Sequence, residues 1–203
     1  MTKLSDLYGG KYPELDDLTD VNISSPSDGE VLTYNNGQWV NAEDGFKKVA
    51  EINVSSNTTY VEFTGLSGSN GDIYVIFFNL INHTSTTAYL GICINGDTTS
   101  TNYYRSSLIV NNTSVSSLRS NDHRAIPIGS DDRKTFGISY ISLNNNDYSY
   151  LAHLVYGIPS EVRQFYTMVK YTSSVTSITS LKIQSNVTNG IGSGSKIRLY
   201  KMI

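Results

Sequence analysis

The sequence predicts an all-β protein, an antiparallel, jelly-roll-like β-sandwich preceded by an extended N-terminal arm and a short oligomerisation segment. Three observations predict it. From Phe46 onward, short runs that alternate apolar and polar residues are broken by Gly, Asn, Asp and Ser clusters, and no stretch keeps a 3.6-residue period for more than a turn or two. Charged residues make up 16% of the 203-residue chain while tyrosines number 15, and low charge with many β-branched and aromatic side chains favours strands over helices. Residues 15–41, finally, hold the only tryptophan and a scatter of apolar residues too few to form a core by themselves.

Taken in order, residues 1–14 form a short arm with Gly9-Gly10 and Pro13 and no pattern of a stable element. Its Leu4, Leu7, Tyr8 and Tyr12 have no evident home within the chain, which suits a peg that orders on a partner. Residues 15–45 come next. Leu15, Leu18 and Val21 recur every third residue among aspartates, and Val31, Leu32, Tyr34 and Trp39 follow between turn residues. Asn36-Gly37 is a strong two-residue hairpin signal, and Ser25 to Gly29 a turn in which Pro26 presets φ and Gly29 accepts positive φ. These seven apolar residues are expected to meet their equivalents on other copies of the chain.

Residues 46–203 make the sandwich. Strands are expected at 48–54, 59–65, 72–81, 88–95, 103–110, 135–143, 150–156, 165–172, 177–184 and 196–202, a count and spacing that suit a jelly roll. Residues 161–164 read as a short helical turn or an irregular loop. In 88–95 the apolar set is Leu90, Ile92 and Ile94, with Tyr89, Gly91 and Cys93 opposite. In 72–81 both faces are apolar, Ile73, Val75 and Phe77 against Tyr74, Ile76, Phe78 and Leu80. A sandwich has one interior, so that strand is either central in a thick domain, covered by a loop, or turned toward a neighbouring subunit.

The wording of 15–41 resembles a pattern of tail-fibre, head-fibre and related virion proteins of bacteriophages and other prokaryotic viruses. Its three parts arrive in order: Leu15, Asp17, Leu18, Asp20 and Val21; then Ser25, Pro26, Asp28, Gly29, Val31, Leu32, Tyr34 and Asn35; then Gly37, Trp39, Val40 and Asn41. Asn95-Gly96-Asp97 with Asn102-Tyr103-Tyr104, and the ending Gly194 to Tyr200, resemble virion proteins more weakly. The resemblance implies a slender trimeric shaft between an arm attached to the particle and a globular head. It implies a homotrimer, contacts to other capsid or tail proteins through the arm, and location in the virion. Two roles fit: a fibre or spike whose head adheres to host-surface glycan, or a purely architectural decoration or adaptor protein without receptor binding.

Other classes lack their signals. A net charge of −3 gives no basic field for a phosphate backbone, so nucleic acid is not an expected partner. One cysteine, Cys93, excludes an internal disulfide and a cysteine-based zinc cage. No cofactor or metal is expected. The first residues lack a secretory apolar core and no run is long enough to span a membrane, so synthesis in the host cytoplasm without membrane insertion is expected. His83, His123 and His153 are far apart, no G-x-S-x-G elbow or P-loop occurs, and no acid pair can be placed together, so the chain reads as a non-enzyme.

A sugar presents C–H patches and hydroxyls together, and surfaces that hold it pair aromatic faces with short amide and carboxylate side chains. Residues 144–150 have that composition, which makes Asn145, Asp147, Tyr148 and Tyr150 candidates for glycan contact. Residues 121–124, Asn-Asp-His-Arg, have it less compactly, and Asp131-Asp132-Arg133 is a third polar cluster with the letters of a solvated turn.

Overall fold

A computed structural model describes residues 18–27, 30–43, 45–111, 114–158 and 161–202. Leu15 and the arm residues Leu4, Leu7, Tyr8 and Tyr12 lie outside the described residues, as do Asp28 and Gly29. Among the described residues are fifteen strands and one 3-10 turn, Ser100–Asn102. The strands are β1 (Val21–Asn22), β2 (Glu30–Asn35), β3 (Gln38–Glu43), β4 (Phe46–Asn53), β5 (Tyr60–Gly68), β6 (Ile73–Asn82), β7 (Ala88–Ile94), β8 (Tyr103–Val110), β9 (Val115–Ser120), β10 (Arg124–Ile128), β11 (Arg133–Asn144), β12 (Asp147–Ile158), β13 (Glu161–Tyr171), β14 (Ile178–Ser185) and β15 (Lys196–Met202). The chain divides into two compact units, one ending at Lys47 and one comprising Lys48–Met202.

The first unit is a three-stranded sheet in the order β1-β3-β2. Asn36 and Gly37 take φ of 49° and 87°, the left-handed pair a type I′ turn needs, and this sets β2 antiparallel to β3 with Tyr34 opposite Trp39. Their rings lie 5.3 Å apart, tilted by 59°. Asn41 ties the sheet together: its amide nitrogen donates to Glu30 Oε2 at 2.7 Å and to the Ser24 carbonyl at 3.0 Å, and its oxygen accepts from the Ser24 N–H. Three short strands cannot enclose their apolar side chains, and within this unit Leu18, Val31, Leu32, Tyr34 and Trp39 all stay exposed, Tyr34 by 64%, while Val21 is half-buried.

In the second unit a four-stranded sheet, β10-β7-β14-β5, faces an eight-stranded one, β4-β15-β6-β11-β12-β13-β8-β9, and the pairings resolved in both are antiparallel. The core lies between them. Leu90, Ile92 and Ile94 of β7 meet Tyr74, Ile76, Phe78 and Leu80 of β6, with Ile126, Leu181, Ile183, Ile141 and Leu154 around them. Tyrosine hydroxyls reach from the larger sheet to the edge of β7 where pairing with β10 stops: Tyr148 donates to the Ile92 carbonyl at 3.3 Å, and Tyr103 accepts from the Ile94 N–H at 3.1 Å. Tyr150 donates to the His123 carbonyl at 2.6 Å. These bonds answer backbone groups that would otherwise be buried without partners. At the opposite margin Glu51 of β4 accepts from Arg198 of β15 at 2.9 Å and pairs with Lys48 and Lys196, and hydrogen bonds from Lys48, Arg198 and Asn53 hold its carboxyl at a pKa of about 2.

The doubly apolar strand is explained by its place in the larger sheet. β6 lies inside that sheet, Tyr74, Ile76, Phe78 and Leu80 face the core, and Phe77 emerges on the outer face with 43% exposure. Register carries that outer face across six strands. Arg198, Phe77, Ile138, His153, Tyr166 and Leu108 stand side by side, and Tyr200, Val75, Tyr140, Leu151, Met168 and Ser106 form the next row. The His153 and Tyr166 rings stack at 4.3 Å.

Three expectations need correction. β9 and β10 are strands where none was expected, and residues 161–164 extend β13 instead of forming a helical turn or loop. The turn 144–147 is tighter than a binding loop. Asn145 and Asn146 take φ of 50° and 64°, and Asn144 pairs directly with Asp147.

Candidate ligand-binding cleft

The two sheets differ in width, and the difference makes a cleft. β10, the edge strand of the smaller sheet, packs over β11, β12 and β13, so the inner face of β8 and β9 extends past it uncovered. The cavity holds about 380 Å³, within the usual size of a small-ligand site. Period-two alternation places its floor: Arg105, Ser107 and Ile109 of β8 point the same way as Leu118 and Ser116 of β9, the cross-strand neighbours of Ser107 and Ile109, and Phe165 and Arg163 of β13 continue that surface. Asp122, Arg124 and Ala125 form the wall, with Tyr89 and Asn186 at the rim. Asn186 is fixed there because its side-chain oxygen accepts from the Tyr89 N–H at 2.7 Å.

Asp122, Arg124 and Arg105 form one polar network in the cleft. Asp122 accepts from the N–H of Arg124 at 3.0 Å and from its Nε at 2.8 Å. Burial works against the Asp122 carboxylate, but the Arg124 hydrogen bonds and the charges of Arg124 and Arg105 outweigh it and hold its pKa below the ordinary value. Arg105 donates through Nη1 to the Arg124 carbonyl. Two buried atoms of the lining, the donor Arg105 Nε and the acceptor Asn111 Oδ1, have no partner among the described residues. Leu118 is 42% exposed on the floor and Tyr89 40% exposed at the rim, so the cleft offers apolar surface beside its charges.

The candidates from sequence fall on both sides of this result. Tyr148 and Tyr150 are 0% and 2% exposed, with hydroxyls bonded to backbone carbonyls between the sheets, so neither can serve as a glycan contact. Alternation from the two-residue turn turns both rings inward. Asp147 is exposed and pairs with Lys170 at 2.9 Å, and Asn145 is a turn residue, so this end of the hairpin retains no aromatic platform of its own. Of residues 121–124, Asp122 and Arg124 line the cleft, whereas His123 is buried, its ring 5.4 Å from Tyr103. Burial lowers the His123 pKa. Asp131 and Asp132 occupy a turn at positive φ, and Asp132 meets His83 Nδ1.

Sequence reading missed Arg105 and Arg163. Their signal was present: each is a charged residue on the inward-facing series of its strand, Arg105 between Tyr103 and Ser107, and Arg163 next to Phe165 in that series. Among the described residues no group of three or more His, Cys, Asp or Glu side chains is placed to hold a metal ion.

No family model matches the chain, and no curated protein does. Among solved structures, a congerin II single mutant aligns with a TM-score of 0.34 and 11% identity, over 69% of this chain and 98% of its own. Lactose- and MES-liganded congerin II gives 0.32, 11%, 69% and 98%, and CG-16, a homodimeric agglutinin from chicken liver, gives 0.29, 12%, 68% and 98%. The likeness extends to an all-β, sandwich-like layout and no further.

Proposed function

We propose that the chain is a homotrimeric virion fibre or spike protein, anchored by its N-terminal arm, whose β-sandwich adheres to the host surface by holding glycan. The observation that carries the adhesive role is the cleft, where guanidinium, amide and aromatic groups surround a cavity of about 380 Å³ beside apolar floor residues. The virion setting is supported by the wording of residues 15–41 and by a three-stranded unit that leaves Val31, Leu32, Tyr34 and Trp39 uncovered. Strand order supports a jelly roll. β5-β14-β7-β10 faces β6, then the meander β11-β12-β13, then β8-β9, which is a four-against-four jelly-roll order with one strand replaced by three.

The outer face of the larger sheet favours a second reading, a purely architectural protein. Phe77, Phe136, Tyr140, Leu151, Tyr166 and Met168 leave a broad apolar surface uncovered, and a neighbouring virion protein could take it as readily as another copy of this chain. Light scattering of the purified chain, with binding of fluorescently labelled protein to host cells before and after removal of surface glycan, separates the readings. The adhesive reading expects a trimer mass and glycan-dependent binding. A trimer that binds no cells but joins particles points to the architectural reading, and a monomer removes the trimeric shaft from both.

A further inference from the structure

Resting on the adhesive reading of the cleft, we infer that its ligand is an acidic sugar, a carboxylate-bearing uronic or nonulosonic acid residue of a surface glycan, in preference to a neutral one. The charge pattern is the first reason. Among the described lining residues Arg105, Arg124 and Arg163 are cationic and Asp122 is the one acid, on a chain whose net charge is −3, so the cationic character of the lining is local and opposes the charge of the whole. Planar guanidinium forks match carboxylates in geometry as well as charge. Arg105 is held in place through its bond to the Arg124 carbonyl, and Arg124 through Nε to Asp122.

The second reason is the pair of buried atoms without partners among the described residues. Arg105 Nε needs an acceptor and Asn111 Oδ1 needs a donor, and a buried polar group left unmatched is unfavourable. A sugar acid supplies both kinds of group, carboxylate oxygens for the guanidinium and hydroxyls for the amide oxygen. A bare phosphate or sulfate would satisfy the arginines, but it would have no use for Ile109, Leu118 and Phe165 along the floor or for the Tyr89 ring at the rim. Those side chains suit the C–H face of a sugar ring.

The test uses the full chain and matched ligands in calorimetry: a glucuronate-terminated disaccharide and a sialic-acid-terminated trisaccharide, each beside its carboxyl-reduced counterpart, with sodium sulfate as a bare anion. At least one acid form is expected to bind roughly tenfold or more tightly than its reduced form, with an advantage that shrinks as salt rises, as ion pairing requires. The acid that binds more tightly identifies the class. Arg124→Gln should remove most of that advantage. Leu118→Glu, at an exposed floor position where the fold should tolerate it, should abolish acid binding without moving the melting temperature. Equal affinity for acid and reduced forms would overturn the inference and leave adhesion standing. Sulfate binding as tight as the acids would overturn the sugar assignment, and undiminished acid binding by a folded Leu118→Glu chain would overturn the location. Acid binding in the cleft with no glycan-dependent adhesion to cells would leave the inference in place and defeat the proposed function instead.

Discussion

Asp97 shows how much of the sandwich depends on single polar residues. Its carboxylate accepts from the Tyr171 hydroxyl at 2.6 Å, the Asn102 amide at 2.8 Å and the Thr99 N–H at 2.9 Å, while its own carbonyl accepts from the Tyr103 hydroxyl at 2.7 Å. Burial raises its pKa, but these bonds prevail and hold it at about 2, below the ordinary 3.8. A depressed folded-state pKa gives stability that is present above the ordinary value and lost as pH falls through about 2. Asp97→Asn should therefore cost roughly 2 kcal/mol at neutral pH, since a hydrogen bond to a charged group is worth about that much, and should flatten the acid dependence between about pH 4 and 2. Urea titrations across that range measure both effects, and an unchanged acid slope would mean that Asp97 is not the group responsible. Gly91 is a second such point. A Cβ there would lie 1.9 Å from the His123 ring, which is buried against Tyr103, so Gly91→Ala should lower stability by about 3 kcal/mol. A melting temperature equal to that of the parent would show that His123 can move aside. Single residues were the least legible scale in the sequence. Tyr148 and Tyr150 have the letters of a sugar platform, but the phase of a hairpin decides which way a ring points, and here it sends both into the core.

Elements were legible where alternation was strong. The hairpin at Asn36-Gly37 and the central strands follow directly from turn chemistry and period-two patterning. β9 escaped because VSSLRS has too few apolar residues to mark a face, and β10 because RAIPI carries Pro127, which a strand accommodates only at an edge or bulge, and β10 is indeed an edge with a register shift. Residues 161–164 were misread because they follow Pro159, a residue that suits the start of a helical turn or a loop, whereas β13 places Arg163 inward and Val162 and Gln164 outward. Under the proposed assembly, the outer face of the eight-stranded sheet is one apolar surface open to a second copy. Leu151 stands near its middle, between Tyr140 and Met168, and is 42% exposed. Leu151→Glu places a charge on that face without touching the core, so it should convert the oligomer to smaller species while leaving the secondary structure unchanged. Sedimentation at micromolar protein is the measurement. An intact oligomer would place the subunit contacts elsewhere, on the three-stranded unit first.

At the scale of the whole molecule, the apolar core of the described residues lies in the larger unit, Lys48–Met202. Residues 48–203 expressed alone should thus fold with a melting temperature close to that of the full chain, and a large drop would show that the first unit contributes to the stability of the second. The all-β class was readable from composition because low charge and abundant tyrosine are properties of the chain as a whole. The cleft was not readable, because it arises from a mismatch between a sheet of four strands and one of eight, and no local pattern encodes how many neighbours a strand will find. Its arginines could be noticed one at a time, but only the fold brings β8, β13 and the approach to β10 together.

The buried thiol on β7 gives this molecule a built-in clock. Cys93 is the only cysteine, it is fully buried, and burial above all pushes its pKa up to about 12, so in the folded chain it is both shielded and protonated. Alkylating reagents attack thiolates, so adduct formation measures how often β7 opens to solvent. One site per chain makes the readout a single mass shift. In native buffer the shift should accumulate slowly, in proportion to the equilibrium population of globally unfolded chain, and quickly in denaturant. Fast labelling of an otherwise folded chain would reveal a local opening where the tyrosine hydroxyls hold the edge of that strand.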